Sequence, residues 1–335
     1  MNSTLEPSTW GFNVFYGMSI VTLPLYFIIL VCLVRLRQVS KSYRTTFYSL
    51  LLQHCIADII SMLGYIALTP AREISVIRQF YFDYQEYYIA AATYNIIYVS
   101  LYIRCIGILL LSLQRYFVIT SPHSNLTIKI QTSASWKVVL VYWILPLLLS
   151  VIVLKDSDMY FNDVVDMNVI IEKSITQRNT TMALLVVSFV CIISSFAYGA
   201  LFFFIRKNTR ILSRSLRREV RLAFQVFVLL FAFFAILIFY AILNYCSRAQ
   251  MTAEMFYLRT IYPMLSGFLS YMNPYCILLL NHDLARQVVK SVSCKEYENS
   301  EVQVSGILSN STKQQLPTTA RPSRISNENR RTVIN

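Results

Sequence analysis

Seven long apolar stretches alternate along the chain with short loops in which the charge collects, and each stretch is about as long as a helix needs to be to cross a bilayer. They cover about residues 14–36, 46–69, 90–119, 136–154, 182–205, 221–245 and 257–280. A hydrocarbon core of about 30 Å takes roughly 20 helical residues, and a helix satisfies its own backbone hydrogen bonds there. The pattern predicts an all-α, polytopic seven-transmembrane bundle over residues 14–281. A short amphipathic helix is expected to follow at 282–295, then a disordered tail at 296–335 that is rich in Ser, Thr, Asn and Gln and suits phosphorylation.

Composition removes the soluble alternatives, with 56% hydrophobic and 14% charged residues and a mean hydropathy of +0.51. The net charge of +13 would suggest nucleic acid in a soluble chain. Here the basic residues sit between apolar spans, so membrane lipid is the expected partner and nucleic acid is not.

The distribution of that charge orients the bundle. The first connection carries Arg35, Arg37, Lys41 and Arg44 without an acid, and the fifth carries Arg206, Lys207, Arg210, Arg214, Arg217, Arg218 and Arg221 against Glu219. The third connection and the tail are basic too, whereas the fourth holds Asp156, Asp158, Asp163, Asp166 and Glu172. The reading puts residues 1–13 outside the cell and the carboxyl terminus in the cytoplasm, which requires an odd number of spans. Two glycosylation sequons, at Asn2 and Asn179, then fall outside; those at Asn125 and Asn310 fall inside, where the transferase does not reach. The first span serves as an uncleaved signal anchor, so the mature chain is expected to begin at Met1.

None of the seven cysteines has metal-ligand spacing, and no metal or cofactor is expected. Cys294 follows a segment with Leu284, Val288 and Val292 at helical spacing beside Arg286 and Lys290. It reads as a palmitoylated anchor on the inner leaflet or as an ordinary free thiol.

Motifs narrow the class. The third span ends in Gln114, Arg115, Tyr116, then Ile119 and Pro122, which resembles the Asp-Arg-Tyr signature of rhodopsin-like G-protein-coupled receptors with a Gln for the acid. Ile56, Ala57 and Asp58 resemble the second-span stretch of those receptors, and Asn273, Pro274 and Tyr275 are similar to their Asn-Pro-x-x-Tyr motif. The Cys-Trp-x-Pro switch, the first-span Gly-Asn pair and the disulfide from the third helix to the second external loop are missing. The Gln-Arg-Tyr variant, the Met-Asn-Pro-Tyr stretch at 272–275 and the load of Tyr and Phe resemble the nematode serpentine chemoreceptors of classes gamma and V, over about residues 14–295. That resemblance implies a sensory receptor for a small external molecule, coupled to a heterotrimeric G protein, in the plasma membrane and at sensory cilia. Pairing with a second receptor is left open.

Physical chemistry assigns tasks to the same residues. Arg115 keeps its charge and presents a rigid donor fork at a bundle end, while Gln114 can hydrogen-bond but cannot neutralise it. Its restraint is therefore either weak or supplied by another helix, unless Arg115 merely snorkels to the interface. Asp58 and Arg104 are ionisable groups deep in the apolar spans, where an unpaired charge is costly. Their depths, roughly 18 Å and 16 Å from the inner end by helical rise, match. An Asp58–Arg104 ion pair is expected, with the guanidinium standing where many rhodopsin-like receptors hold sodium; separate contacts with water or backbone are the duller alternative.

At the outer end, Tyr94, Asn95, Tyr98 and Tyr262 are candidate ligand contacts, although tyrosines there also form interfacial belts. Arg214, Arg217 and Arg218 are candidates for G-protein coupling, against a simple role in meeting anionic lipid. A ligand-gated channel subunit and a transporter stand as the alternative classes. No enzyme motif occurs, and the three histidines lie far apart in sequence.

Overall fold

A computed structural model of the protein describes residues 10–40, 43–68, 74–165, 167–207 and 214–292. At residues 214–219, 252, 256, 282, 283, 291 and 292 it describes the backbone alone. Asn2, Cys294 and the tail lie outside the described residues, as do the side chains of Arg214, Arg217 and Arg218.

Seven long helices form the bundle: α1 (Trp10–Val39), α2 (Thr46–Leu68), α4 (Ala90–Thr120), α6 (Ser135–Leu154), α7 (Lys173–Lys207), α8 (Arg214–Ala249) and α9 (Thr252–Leu280). Six of them are long and apolar enough to cross a membrane. The seventh, α9, is diluted by Ser266, Ser270, Asn273, Pro263 and Pro274, yet it packs between α1 and α8 as a full member. Among the described residues, short helices α3 (Ser75–Asp83), α5 (Asn125–Thr132) and α10 (His282–Val292) accompany them.

The hub is α4, which touches α2, α6, α7 and α8 and is buried on most of its circumference. By contrast α6 is peripheral: Leu140, Ile144, Leu148 and Val151 are exposed, as a face toward lipid should be, while Tyr142 and Ser150 turn inward. Small residues set the closest approaches. A Cβ on Gly11 would collide with the Thr260 carbonyl, so α1 and α9 meet backbone to backbone there.

The helices exceed the apolar segments that announce them. Ahead of its apolar segment α7 runs through Gln177, Arg178, Asn179, Thr180 and Thr181, because these polar residues find partners inside the bundle: Gln177 donates to the Ser247 carbonyl and Asn244 donates to Thr181. The connection before α4 is also structured. After α3 the chain makes a π-helical turn at Gln85–Ile89, in which Tyr88 takes a left-handed φ of 68°. A two-stranded hairpin, β1 (Tyr160–Phe161) with β2 (Val169–Ile170), lies against this turn, where the Phe161 N–H donates to Gln85 Oε1 at 2.7 Å.

One sequence expectation changes at α10. Leu284 and Val288 are buried, and α10 packs on α1 and α9, so the apolar stripe assigned to the inner leaflet is largely used by the protein itself. The Asn281 side chain caps this helix, accepting from the Leu284 N–H.

Candidate functional site

Three groups of polar residues lie along the bundle axis, and α4 and α9 run past the deep one and the Tyr88 end. The deepest centres on Asp58 of α2, which is fully buried. Its carboxylate accepts from the Tyr26 hydroxyl at 2.5 Å, the Ser270 hydroxyl at 3.3 Å and Asn273 Nδ2 at 3.2 Å, with His54 Nε2 3.9 Å away. The Tyr26 hydroxyl also faces the Ser270 carbonyl at 2.8 Å. Arg104 of α4, equally buried, donates from Nη2 to Ser266 Oγ at 2.7 Å and from Nη1 to the Ser266 carbonyl at 2.9 Å and Ser270 Oγ at 3.2 Å. Its Nε reaches back to the Ser100 carbonyl.

The expected Asp58–Arg104 ion pair is therefore replaced by a relay. Ser270 accepts from Arg104 and donates to Asp58, so the two charges are joined through one hydroxyl of α9. The cause is the serine stripe: Ser266, Ser270 and Asn273 sit on one helical face and occupy the donors and acceptors that a direct pair would use. A buried charge needs this many partners, because desolvation is otherwise not repaid.

A second group lies at the Arg115 end. Arg115 is buried at 2% exposure, so it does not snorkel, and its guanidinium carbon stands 3.3 Å from the centroid of the Phe47 ring of α2. Gln114 is buried beside it, and its Oε1 finds no partner among the described residues. Ile119 is buried, Tyr116 half-buried and Pro122 exposed. The short helix α5 closes this end: Thr127 is buried and donates to the Ser121 carbonyl, and Thr46 donates to the Ile130 carbonyl. Of the α9 motif, Asn273 joins the deep network, Pro274 interrupts the helix ladder, and the Tyr275 hydroxyl lies 3.4 Å from that of Thr22.

The third group is aromatic and lies at the Tyr88 end. Tyr94, Tyr98 and Tyr102 follow one another at single-turn spacing on α4, all buried; the Tyr98 ring meets Tyr240 of α8, and Tyr240 and Phe239 in turn meet Tyr262 of α9. The Tyr94 and Tyr98 hydroxyls are 3.0 Å apart, and the Tyr262 hydroxyl donates to the Ile97 carbonyl at 3.3 Å. Three of the four candidate ligand contacts thus come together. Asn95 does not join them: its Nδ2 donates to the Tyr88 hydroxyl at 2.7 Å and to the Asp156 carbonyl at 3.4 Å, which ties α4 to the turn around Tyr88. Tyr88 in turn donates to the Leu154 carbonyl, so its strained backbone is held from two sides.

Asn179 is reassigned as well. It is fully buried within α7, and its Oδ1 accepts from Arg178, leaving no room for a glycan. Arg178 itself forms an ion pair with Asp156.

Sequence reasoning missed Tyr26, Phe47, Ser266, Ser270, Tyr102 and Tyr240. The serines carried a readable signal, a polar stripe at helical spacing in an apolar span, and Tyr102 continues the Tyr94–Tyr98 ladder. Tyr26 and Phe47 carried none, since an aromatic residue in a span looks the same whether it packs or pairs.

The family model described as serpentine type 7TM GPCR chemoreceptor Srv matches residues 15–294 of the chain. No curated protein matches it significantly.

Proposed function

The chain belongs to the Srv family of serpentine seven-transmembrane chemoreceptors, and from that premise we propose that it binds a small external molecule at the Tyr88 end and signals to a heterotrimeric G protein at the Arg115 end. The charge distribution supports this orientation, since the loops at the Arg115 end are basic and those at the Tyr88 end carry the acids. Residues 1–13 then face outward and the tail faces the cytoplasm of the plasma membrane. The protein acts as a receptor and not as a catalyst.

The observation that carries the reading is the continuity of α9. Tyr262 belongs to the aromatic cluster; one turn on, Ser266 holds Arg104; a further turn on, Ser270 joins Arg104 to Asp58, and Asn273 completes the network just before Pro274. A ligand that displaces Tyr262 shifts the partners of two buried charges. The discontinuity at Pro274 lets the far part of α9 respond. At the Arg115 end, the stack on Phe47 is the resting pose, and activation frees the guanidinium for the G protein together with Gln114, Tyr116, Ile119, Pro122 and the Arg214, Arg217 and Arg218 strip. The ligand acts only through its preference for the released arrangement.

The test is expression of the wild type and Arg115→Ala at matched surface levels, exposed to pools of small external metabolites, with G-protein activation and membrane current recorded together. The expected result is a ligand-dependent G-protein signal that Arg115→Ala removes. Current that survives the substitution, with no G-protein signal, would replace the reading with a channel.

A further inference from the structure

The carboxylates and hydroxyls near the aromatic cluster define what kind of molecule it can take. Among the described residues the buried and half-buried carboxylates are Asp58, Asp156 and Asp163, and each is engaged. Asp58 accepts three hydrogen bonds, Asp156 is paired with Arg178, and Asp163, out in the hairpin, accepts from Asn162 and the Val165 N–H. An ammonium ligand entering the cluster would meet ring faces but, among the described residues, no buried or half-buried carboxylate without a partner, and burying a charge without a counter-charge is costly. Unsatisfied donors are present instead. Among the described residues the fully buried Tyr102 hydroxyl has no hydrogen-bond partner, and neither has the buried Asn179 amide nitrogen on the α7 turn that carries Arg178. Arg178, on that same turn of α7, keeps a positive charge there beside Asp156.

Resting on the receptor reading above, we propose that the ligand is a small organic anion, a carboxylate on an apolar body, whose body lies against Tyr98, Tyr240 and Tyr262 and whose carboxylate accepts from Tyr102. The aromatic rings supply apolar contact area with little rotamer entropy to lose. The carboxylate satisfies a hydroxyl that otherwise stays desolvated and unpaired, and a hydrogen bond to a charged acceptor is among the stronger ones available. Arg178 contributes through its field while keeping Asp156.

The probes are benzoate, octanoate and indole-3-acetate, each compared with its amide and with the amine of matching body. Binding is read as thermal stabilisation of the purified full-length receptor, and G-protein activation is read separately. At least one acid is expected to stabilise the wild type with an apparent Kd at least about tenfold below that of its amide and amine. Tyr102→Phe, which keeps the ring and removes only the hydroxyl, is expected to weaken the acid about tenfold or more and to leave the amide nearly unchanged. Stabilisation by amines in preference to acids overturns the anion assignment while leaving the receptor reading intact. Equal acid binding by wild type and Tyr102→Phe overturns the site, and no stabilisation by any acid overturns the proposal. Acid binding without G-protein activation instead counts against the coupling reading alone.

Discussion

Arg104 and Asp58 meet at a single hydroxyl, that of Ser270, which stands 3.2 Å from Nη1 of the one and 3.3 Å from Oδ1 of the other. Removing either charge orphans the other in an apolar surrounding, so Asp58→Asn and Arg104→Gln should each cost about 3–5 kcal/mol. Ser270→Ala leaves both charges their remaining partners and should cost about 1–3 kcal/mol. The double variant Asp58→Asn/Arg104→Gln should recover part of the summed loss. Thermal unfolding of the purified receptor in detergent checks this, and strict additivity of the two single variants contradicts the relay.

Gly107 of α4 sits where α2 and α6 touch across it. A Cβ there would lie 2.5 Å from the Tyr142 hydroxyl and 2.6 Å from His54 Nδ1, two atoms that themselves stand 3.1 Å apart. Gly107→Ala should therefore destabilise the bundle by about 1–3 kcal/mol through overpacking. Shortening the neighbour in Gly107→Ala/Tyr142→Leu should return part of that loss. A Gly107→Ala protein with unchanged melting temperature would mean that the two side chains move aside freely.

Asn179 is fully buried in α7. Asn179→Gln should leave any glycosidase-sensitive change in electrophoretic mobility as it is in the wild type. A mobility shift lost in that variant alone would show a glycan on Asn179 and contradict the inward placement of this turn.

The architecture is legible because it rests on length and hydropathy, which any apolar span displays. Asp58, Arg104 and Arg115 stand out for the same reason, as charges in or beside apolar helices. The errors arise where the partner comes from a third helix. Equal depth made Asp58 and Arg104 look like a pair, but depth alone does not reveal that α9 lies alongside with Ser266 and Ser270. The Asn179 sequon reads as an outer loop because Gln177, Arg178 and Asn179 are polar; only the partners contributed by Ser247 and Asp156 show that this segment is helical and turned inward. Asn95, next to Tyr94 in sequence, points to a different neighbour because successive helical residues face about 100° apart.

On the function proposed above, the stack of Arg115 on Phe47 is the contact that holds the guanidinium at rest where position 114 carries no acid. A cation–π contact is worth about 0.5–2 kcal/mol, so its loss should shift the resting equilibrium about 2- to 30-fold toward the released form.

The measurement that tests this most directly is ligand-free nucleotide exchange on a G protein reconstituted with wild type, Phe47→Leu and Phe47→Leu/Arg115→Ala receptor. The expected result is higher basal exchange for Phe47→Leu and its abolition in the double variant. Unchanged exchange in Phe47→Leu, with the receptor folded and at the membrane, would contradict the claim that this stack holds Arg115 at rest.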